Sequence, residues 1–425
     1  MNTKKRVFAG LLFLGILPLS SCGLFNDDDI KVSNSFHPFV ESSEKDPNAT
    51  YIGETKGEVF EKTPNALAFK NLGYAKEGRI INTYKEGGAN HKEYNVNSGK
   101  DYEASEFSNN YDLYVPSNVS KTDKHTVILF VHGGAWVSGL KTDVNAYVQE
   151  FANRGYITAT IKYTLLSRKM DDASLSIFRD LDEIDACIAS IKESLETLGF
   201  DTSKTSLVLG GASSGSHLAM LYSYSRGEKA ALPIKFLVDA VGPVDIKPYS
   251  WKAFGNASDE VLSAGITSSA INAQIASGNI RELYIAGEEV TWNNYETMRI
   301  ANGMCGIPFN AYQISSATDS EKREIVNPNA ASDSMTKEGG GEDQLSVTYW
   351  MKQGPKIPII AAYAGKDSIV GINQYATLQV ALEDNSISHE FFYFKNSDHT
   401  EISEKADPTT YKAFLDKIED WCKSI

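Results

Sequence analysis

Six short, continuous apolar runs constrain this chain more than any other feature: Thr126–Val131, Ile157–Ile161, Ser206–Leu209, Ile234–Val241, Ile357–Tyr363 and His389–Phe394. Each is rich in Val, Ile, Leu or Phe without polar alternation, which is the pattern of a strand covered on both faces. Segments with helical spacing lie between them, near residues 143–154, 175–197, 215–225 and 373–384. Strands that alternate with helices in this way predict an α/β protein with a mostly parallel central sheet and helices on both faces. Two further strand-like pieces, Arg79–Tyr84 and Tyr111–Val115, precede the first run. At the other end, Asp407 and Pro408 read as N-cap and first-turn residue of a docking helix that carries Tyr411, Phe414, Leu415, Ile418, Trp421 and Cys422 at helical spacing. The alternation is interrupted between Asp245 and Gln353, a stretch too long for a structureless loop in a compact domain, so a mainly helical inserted cap is expected at about 246–353. Trp251, Trp292 and Trp350 fall within it, as stacking surfaces for a sugar or aromatic substrate or as the cap's own core.

Composition narrows the class. With 42% hydrophobic and 23% charged residues the chain has ample core for a globular fold. The excess of 55 acidic over 41 basic side chains argues against nucleic acid as a partner, because that affinity comes from Lys and Arg neutralising phosphates. The N-terminus places Lys4, Lys5 and Arg6 before an apolar run from Val7 to Leu19, too short to span a bilayer and suited to the core of a signal peptide over residues 1–21. The segment Leu19-Ser20-Ser21-Cys22-Gly23 resembles a bacterial lipobox, which implies lipidation of Cys22 and an exported cell-envelope lipoprotein, lipid-anchored to the membrane rather than spanning it. Residues 22–50, with Asp27-Asp28-Asp29 and few apolar side chains, read as a flexible tether to a folded domain over 51–425. Cys187, Cys305 and Cys422 are too few and too scattered for a disulfide framework or a metal site, and read as buried or free thiols.

Two motifs carry chemistry. Gly211-Ala212-Ser213-Ser214-Gly215 follows one apolar run and opens a helical pattern, the setting in which a sharp strand-to-helix turn presents a nucleophilic Ser and needs small neighbours. His132-Gly133-Gly134-Ala135-Trp136 directly follows another, and two Gly at a strand end let backbone N–H groups point into a pocket that stabilises an oxyanion. A Ser nucleophile needs a His base and an acid, in the order Ser, acid, His for a fold of this kind. Downstream of Ser213 the His candidates are His389, which begins the last run and reads as structural, and His399, in a loop just past that run. For the acid, Asp367 lies just past Ile357–Tyr363, and Asp398 is its rival beside His399.

Together these segments resemble the α/β-hydrolase esterases and lipases of the hormone-sensitive-lipase-like and feruloyl-esterase-like group, over roughly residues 105–425. Tyr111-Asp112-Leu113-Tyr114-Val115-Pro116 and Gly242-Pro243-Val244-Asp245 also resemble segments of that group, and Ala364-Gly365-Lys366-Asp367 resembles its acid-bearing turn. Ala212, Ser214 and Ser216 depart from the residues often found around its nucleophile. The resemblance implies a carboxylic ester hydrolase with Ser213, Asp367 and His399 as triad. It implies backbone N–H groups of Gly133, Gly134 and Ser214 as oxyanion hole; Trp136 reads either as lining the acyl or alcohol pocket or as core packing. The chemistry calls for no cofactor or metal. A small-molecule or carbohydrate-linked ester is the expected substrate; an amide or peptide substrate for the same triad, or a catalytically idle surface binding protein, are the alternatives. His132 and His217 are expected to shape and pack rather than exchange protons, and Asp180, Asp182, Glu183 and Asp185 to form an acidic, solvent-facing helix surface.

Overall fold

The computed structural model describes residues 50–51, 66–74, 92–95, 100–103, 110–116, 119–166, 176–245, 304 and 342–424. The signal peptide, Cys22, the tether up to residue 49, the Arg79–Tyr84 run, Cys305, Trp251, Trp292 and most of the expected cap lie outside the described residues.

Strands β1 (Thr50–Tyr51), β2 (Ala66–Gly73), β5 (Asn110–Pro116), β6 (His125–Val131), β7 (Ile157–Lys162), β8 (Thr205–Ala212), β9 (Ile234–Ala240), β10 (Ile359–Ala364) and β11 (His389–Phe394) form a nine-stranded sheet. Strands β3 (Lys92–Asn95) and β4 (Lys100–Glu103) pair as a separate antiparallel ribbon. The order in the large sheet is β1-β2-β5-β7-β6-β8-β9-β10-β11. From β7 to β11 every neighbour is parallel, whereas β1, β2 and β5 are joined antiparallel at one edge. Parallel neighbours need crossover connections, and the helices supply them.

The continuous apolar runs are explained by cover on both faces. In β6, Val127, Leu129 and Val131 enter one core while Ile128 and Phe130 enter the other. Helices α1 (Asn145–Asn153) and α6 (Pro408–Lys423) close the second core with Val148, Phe151, Phe414 and Ile418. Helices α2 (Ile177–Thr197), α3 (Ser214–Arg226) and α5 (Ile372–Asp384) close the first with Ile184, Ile188, Leu218, Leu221 and Leu378. Each such side chain contributes about 1.5–3 kcal/mol relative to exposure. Asp407 caps α6 as its sequence predicts, accepting from the Thr410 N–H at 3.0 Å, with Pro408 in the first turn.

Three expectations are corrected. Strand β2 has no counterpart in the expected pattern: the register against β5 shifts between Phe69 and Leu72, so Ala66 and Ala68 enter one core and Leu72 the other. Strand β8 extends to Ala212, beyond Leu209, because Gly210 and Gly211 still pair with Val238 and Asp239. The acidic face of α2 is only half solvated. Asp182 and Asp185 are exposed, but Asp180 and Glu183 are buried. Glu183 accepts from the Thr164 N–H (2.6 Å) and hydroxyl (2.7 Å) and from Arg179 (3.1 Å), so it binds the exit of β7 instead of water.

The chain leaves the sheet at Asp245 and re-enters at a short 3₁₀ turn, Glu342–Leu345, followed by α4 (Val347–Met351). This neck is tied by the Val347 N–H to the Val244 carbonyl (2.8 Å), by Ser346 to the Asp245 carboxylate (2.6 Å), and by the Gln374 amide oxygen, which accepts from the N–H groups of Val244 and Asp245. The chain therefore leaves the described residues and returns to them beside the carboxyl end of β9.

Candidate active site

Every candidate lies at the carboxyl ends of parallel strands. Ser213 links β8 to α3 in a backbone conformation with φ 53° and ψ −125°, a region non-glycine residues rarely occupy and that costs of order 1–3 kcal/mol. Two glycines make the turn physically possible. A Cβ on Gly211 would lie 2.3 Å from the Gly215 carbonyl carbon, and one on Gly215 would lie 2.2 Å from the Val131 carbonyl oxygen. The Ser213 N–H donates to the Ala240 carbonyl at 2.8 Å, which fixes the elbow to β9.

Helix α3 starts at Ser214, whose N–H has no carbonyl four residues back inside the helix and is free for a ligand. The loop after β6 approaches from the other side, so closely that a Cβ on Gly133 would stand 3.0 Å from the Ser213 Cβ. Its backbone is unusual: Gly134 has φ 120°, and Ala135 and Trp136 follow at 52° and 63°. The Gly134 carbonyl is turned back to accept from the N–H groups of Val137 and Ser138 and from the Ser138 hydroxyl. The N–H groups of Gly133 and Gly134 have no acceptor among the described residues.

His399 and Asp367 come from the two loops that follow β11 and β10. His399 Nε2 lies 2.8 Å from Ser213 Oγ, and its Nδ1 lies 2.7 Å from Asp367 Oδ2. The other Asp367 oxygen accepts from the N–H groups of Ile369 and Val370, both at 2.8 Å. The Asp367 side chain is 1% exposed and that of His399 13%, so the acid is sealed while the base reaches the surface of the site. The loops are laced together, Gly365 N–H to the Phe394 carbonyl and Lys366 N–H to the Ser397 carbonyl, both at 2.9 Å.

The rivals are placed elsewhere. Asp398 Oδ1 accepts from the N–H and hydroxyl of Thr400 and turns the loop rather than touching His399. His389 Nδ1 bonds the Ile387 carbonyl at the start of β11. His132 is buried, stacked on the Tyr163 ring at 4.4 Å and bonded to the Gly133 carbonyl; burial lowers its pKa to about 4, so it stays neutral. Burial does the same to His217. Of the two readings of Trp136 the core one holds: it lies in the core at 3% exposure with its indole N–H directed to His217.

Two residues of the site escape sequence reasoning. Ser216, at a departure from the familiar pattern, donates to the Gly211 carbonyl (2.6 Å) and accepts from the Ala240 N–H (3.0 Å), stapling the elbow to β9. Asp239 is buried at the end of β9, opposite Gly211, and accepts from the Gly242 N–H at 2.8 Å. Burial pushes its pKa up to about 7. The native state thus holds this proton longer than the unfolded chain, so the stabilisation is complete below about pH 4 and is lost as pH rises through about 7. Replacing Asp239 with Asn should make the variant gain on the wild type as pH rises across that window, by on the order of 4 kcal/mol in total. Paired urea titrations at pH 4.5 and 8 measure the difference; a stability gap that does not change with pH would contradict it.

A sheet of this order, with Ser, acid and His delivered in chain order to the carboxyl ends of β8, β10 and β11, is one observation. The sequence supplies a second: residues 111–280 match the BD-FAE family, a family of esterases. The fold is that of an α/β-hydrolase, and the matched segment is of the esterase type. Among solved structures the protein is similar to esterase B from Lactobacillus rhamnosis, at 13% identity over 78% of this chain and 85% of that one with a TM-score of 0.48. It is also similar to the esterase Est2 of the planctomycete Thermogutta terrifontis (15%, 73% and 86%, 0.45) and to a bacterial heroin esterase (14%, 74% and 80%, 0.45). No curated protein matches the sequence.

Proposed function

We propose that this esterase cleaves short-chain acyl or sugar-linked carboxylic esters through an acyl-enzyme, with Ser213 as nucleophile, His399 as general base and acid, and Asp367 as its orienting partner. The observation that carries the reading is the continuous hydrogen-bonded line from Ser213 Oγ through both His399 nitrogens to Asp367. His399 takes the Ser213 proton as Oγ attacks the ester carbonyl, and Asp367 holds the tautomer and stabilises the imidazolium. Negative charge that forms on the carbonyl oxygen is met by the N–H groups of Gly133, Gly134 and Ser214. His399 returns the proton to the departing alcohol, then activates the water that breaks the acyl–Oγ bond.

The same reading places the enzyme outside the cytoplasm as a lipoprotein anchored through Cys22, with residues 1–21 removed and 22–50 as tether. Its domain covers 51–425 with an insertion at about 246–353, and its partners are an ester substrate and the membrane that holds the anchor. The lipobox-like Leu19–Gly23 segment supports that placement.

Hydrolysis of p-nitrophenyl acetate, butyrate and octanoate, beside the p-nitroanilide of butyrate, tests the substrate class. The expected result is turnover of acetate and butyrate esters, weaker turnover of octanoate and none of the anilide. Anilide cleavage at a comparable rate would move the assignment to an amidase.

A further inference from the structure

We propose that His217 is a positioning residue that holds the oxyanion loop in register with Ser213 through the indole of Trp136. The inference rests on the reading of Gly133 and Gly134 as oxyanion donors.

His217 sits one turn into α3, the helix that Ser213 opens, and is completely buried. Its Nδ1 accepts from the Trp136 indole N–H at 3.3 Å, with the two rings edge to face at a centroid distance of 5.4 Å. Its Nε2 lies 2.7 Å from the Leu345 carbonyl, which can only accept. A carbonyl on one side and a donor on the other fix a single neutral tautomer, protonated on Nε2. A proton exchanger needs a free nitrogen, and His217 has none.

Trp136 needs such a hold. It stands two residues after Gly134 and is the second of two consecutive non-glycine residues at positive φ, a backbone that persists only where its surroundings impose it. Its carbonyl accepts from the Leu166 N–H at 2.9 Å, and its side chain is fixed by His217. The loop is therefore clamped at Trp136, by its backbone to the exit of β7 and by its side chain to the helix that carries the nucleophile. Because one helix holds both Ser213 and His217, the Gly133 and Gly134 amides are set relative to Ser213 Oγ and not merely to the sheet. The Leu345 bond ties the same imidazole to the returning end of the insertion, so the ring cannot rotate away from the indole without losing a second partner.

The test uses the full chain with His217→Phe, which keeps a ring but removes both hydrogen bonds, and His217→Gln, whose amide can accept at one end and donate at the other. Trp136→Phe and the double variant His217→Phe/Trp136→Phe complete a cycle. Two rates are read, steady-state hydrolysis of p-nitrophenyl butyrate and phosphonylation of Ser213 by a fluorophosphonate, whose phosphoryl oxygen occupies the same hole. For His217→Phe the expected result is a fall of roughly 10- to 100-fold in kcat and in the phosphonylation rate, with KM changed by less than about 3-fold. His217→Gln should recover most of the loss, and the double variant should be no slower than the worse single one. Thermal unfolding identifies any variant that is simply unfolded, and Trp136→Phe carries the test if His217→Phe is one. Rates within about 2-fold of wild type in folded His217→Phe, or losses that multiply in the double variant, would overturn the inference. Phosphonylation reads the loop whether or not the butyrate ester is a substrate, so failure of the ester reading and failure of this one are separable.

Discussion

Replacing Ser213 with Ala should lower kcat for p-nitrophenyl butyrate by about 10⁶-fold and leave the fold intact. No other hydroxyl among the described residues lies within hydrogen-bond reach of His399 Nε2. The substitution removes one oxygen from a side chain whose backbone contacts, the N–H to Ala240 and the carbonyl to the His217 N–H, are independent of it. Ala tolerates the φ of 53° as well as Ser does, so thermal unfolding should move by no more than a degree or two, a shift worth under about 1 kcal/mol. The residual rate would come from the amides of Gly133, Gly134 and Ser214 acting on water attack, which alone accelerates by about 10³-fold over solution. A variant that keeps more than about 1% of wild-type kcat would mean that the nucleophile is another group.

The second large effect belongs to Asp367. Asp367→Asn should lower kcat by about 10⁴-fold, with KM nearly unchanged. The reason is in the hydrogen bonds. One carboxylate oxygen is committed to the N–H groups of Ile369 and Val370, so an Asn will keep its own oxygen there and turn its amide N–H₂ toward His399 Nδ1. Two donors cannot face each other, so the imidazole must move its proton to Nε2, the nitrogen that has to accept from Ser213. The base is then present in the wrong tautomer. Asp398→Asn is the control: its oxygens serve Thr400, and kcat should stay within about 3-fold of wild type. Equal losses in the two variants would show that the acid has been misassigned.

How much of this was legible in the sequence depends on what each feature asks of its neighbours. The nucleophile and oxyanion motifs are readable because their geometry excludes every side chain but a hydrogen: Gly211 and Gly215 face backbone at 2.2–2.3 Å, and no substitution hides that requirement. The six apolar runs are readable because both faces of each strand are covered. Asp367 and His399 follow from chain order and from their place just past a strand, not from any local pattern. Strand β2 fails on the same logic, since its register shift moves the buried side chains from one face of the sheet to the other in mid-strand. The burial of Asp180 and Glu183 is equally invisible, because a charged helix face reads as solvated until the exit of β7 is laid against it. Trp136 is the subtler case. A large aromatic beside an oxyanion motif suggests a pocket wall, yet its indole N–H is used to join the loop to His217.

The central claim is that Ser213 is an activated nucleophile. The most direct test is to treat the protein with a fluorophosphonate and map the adduct by peptide mass spectrometry, beside His399→Ala. A single stoichiometric adduct on Ser213, formed at least about 10³-fold more slowly when His399 is replaced, is the result expected from this geometry. Labelling at another residue, or a Ser213 adduct that forms as fast without His399, would contradict it.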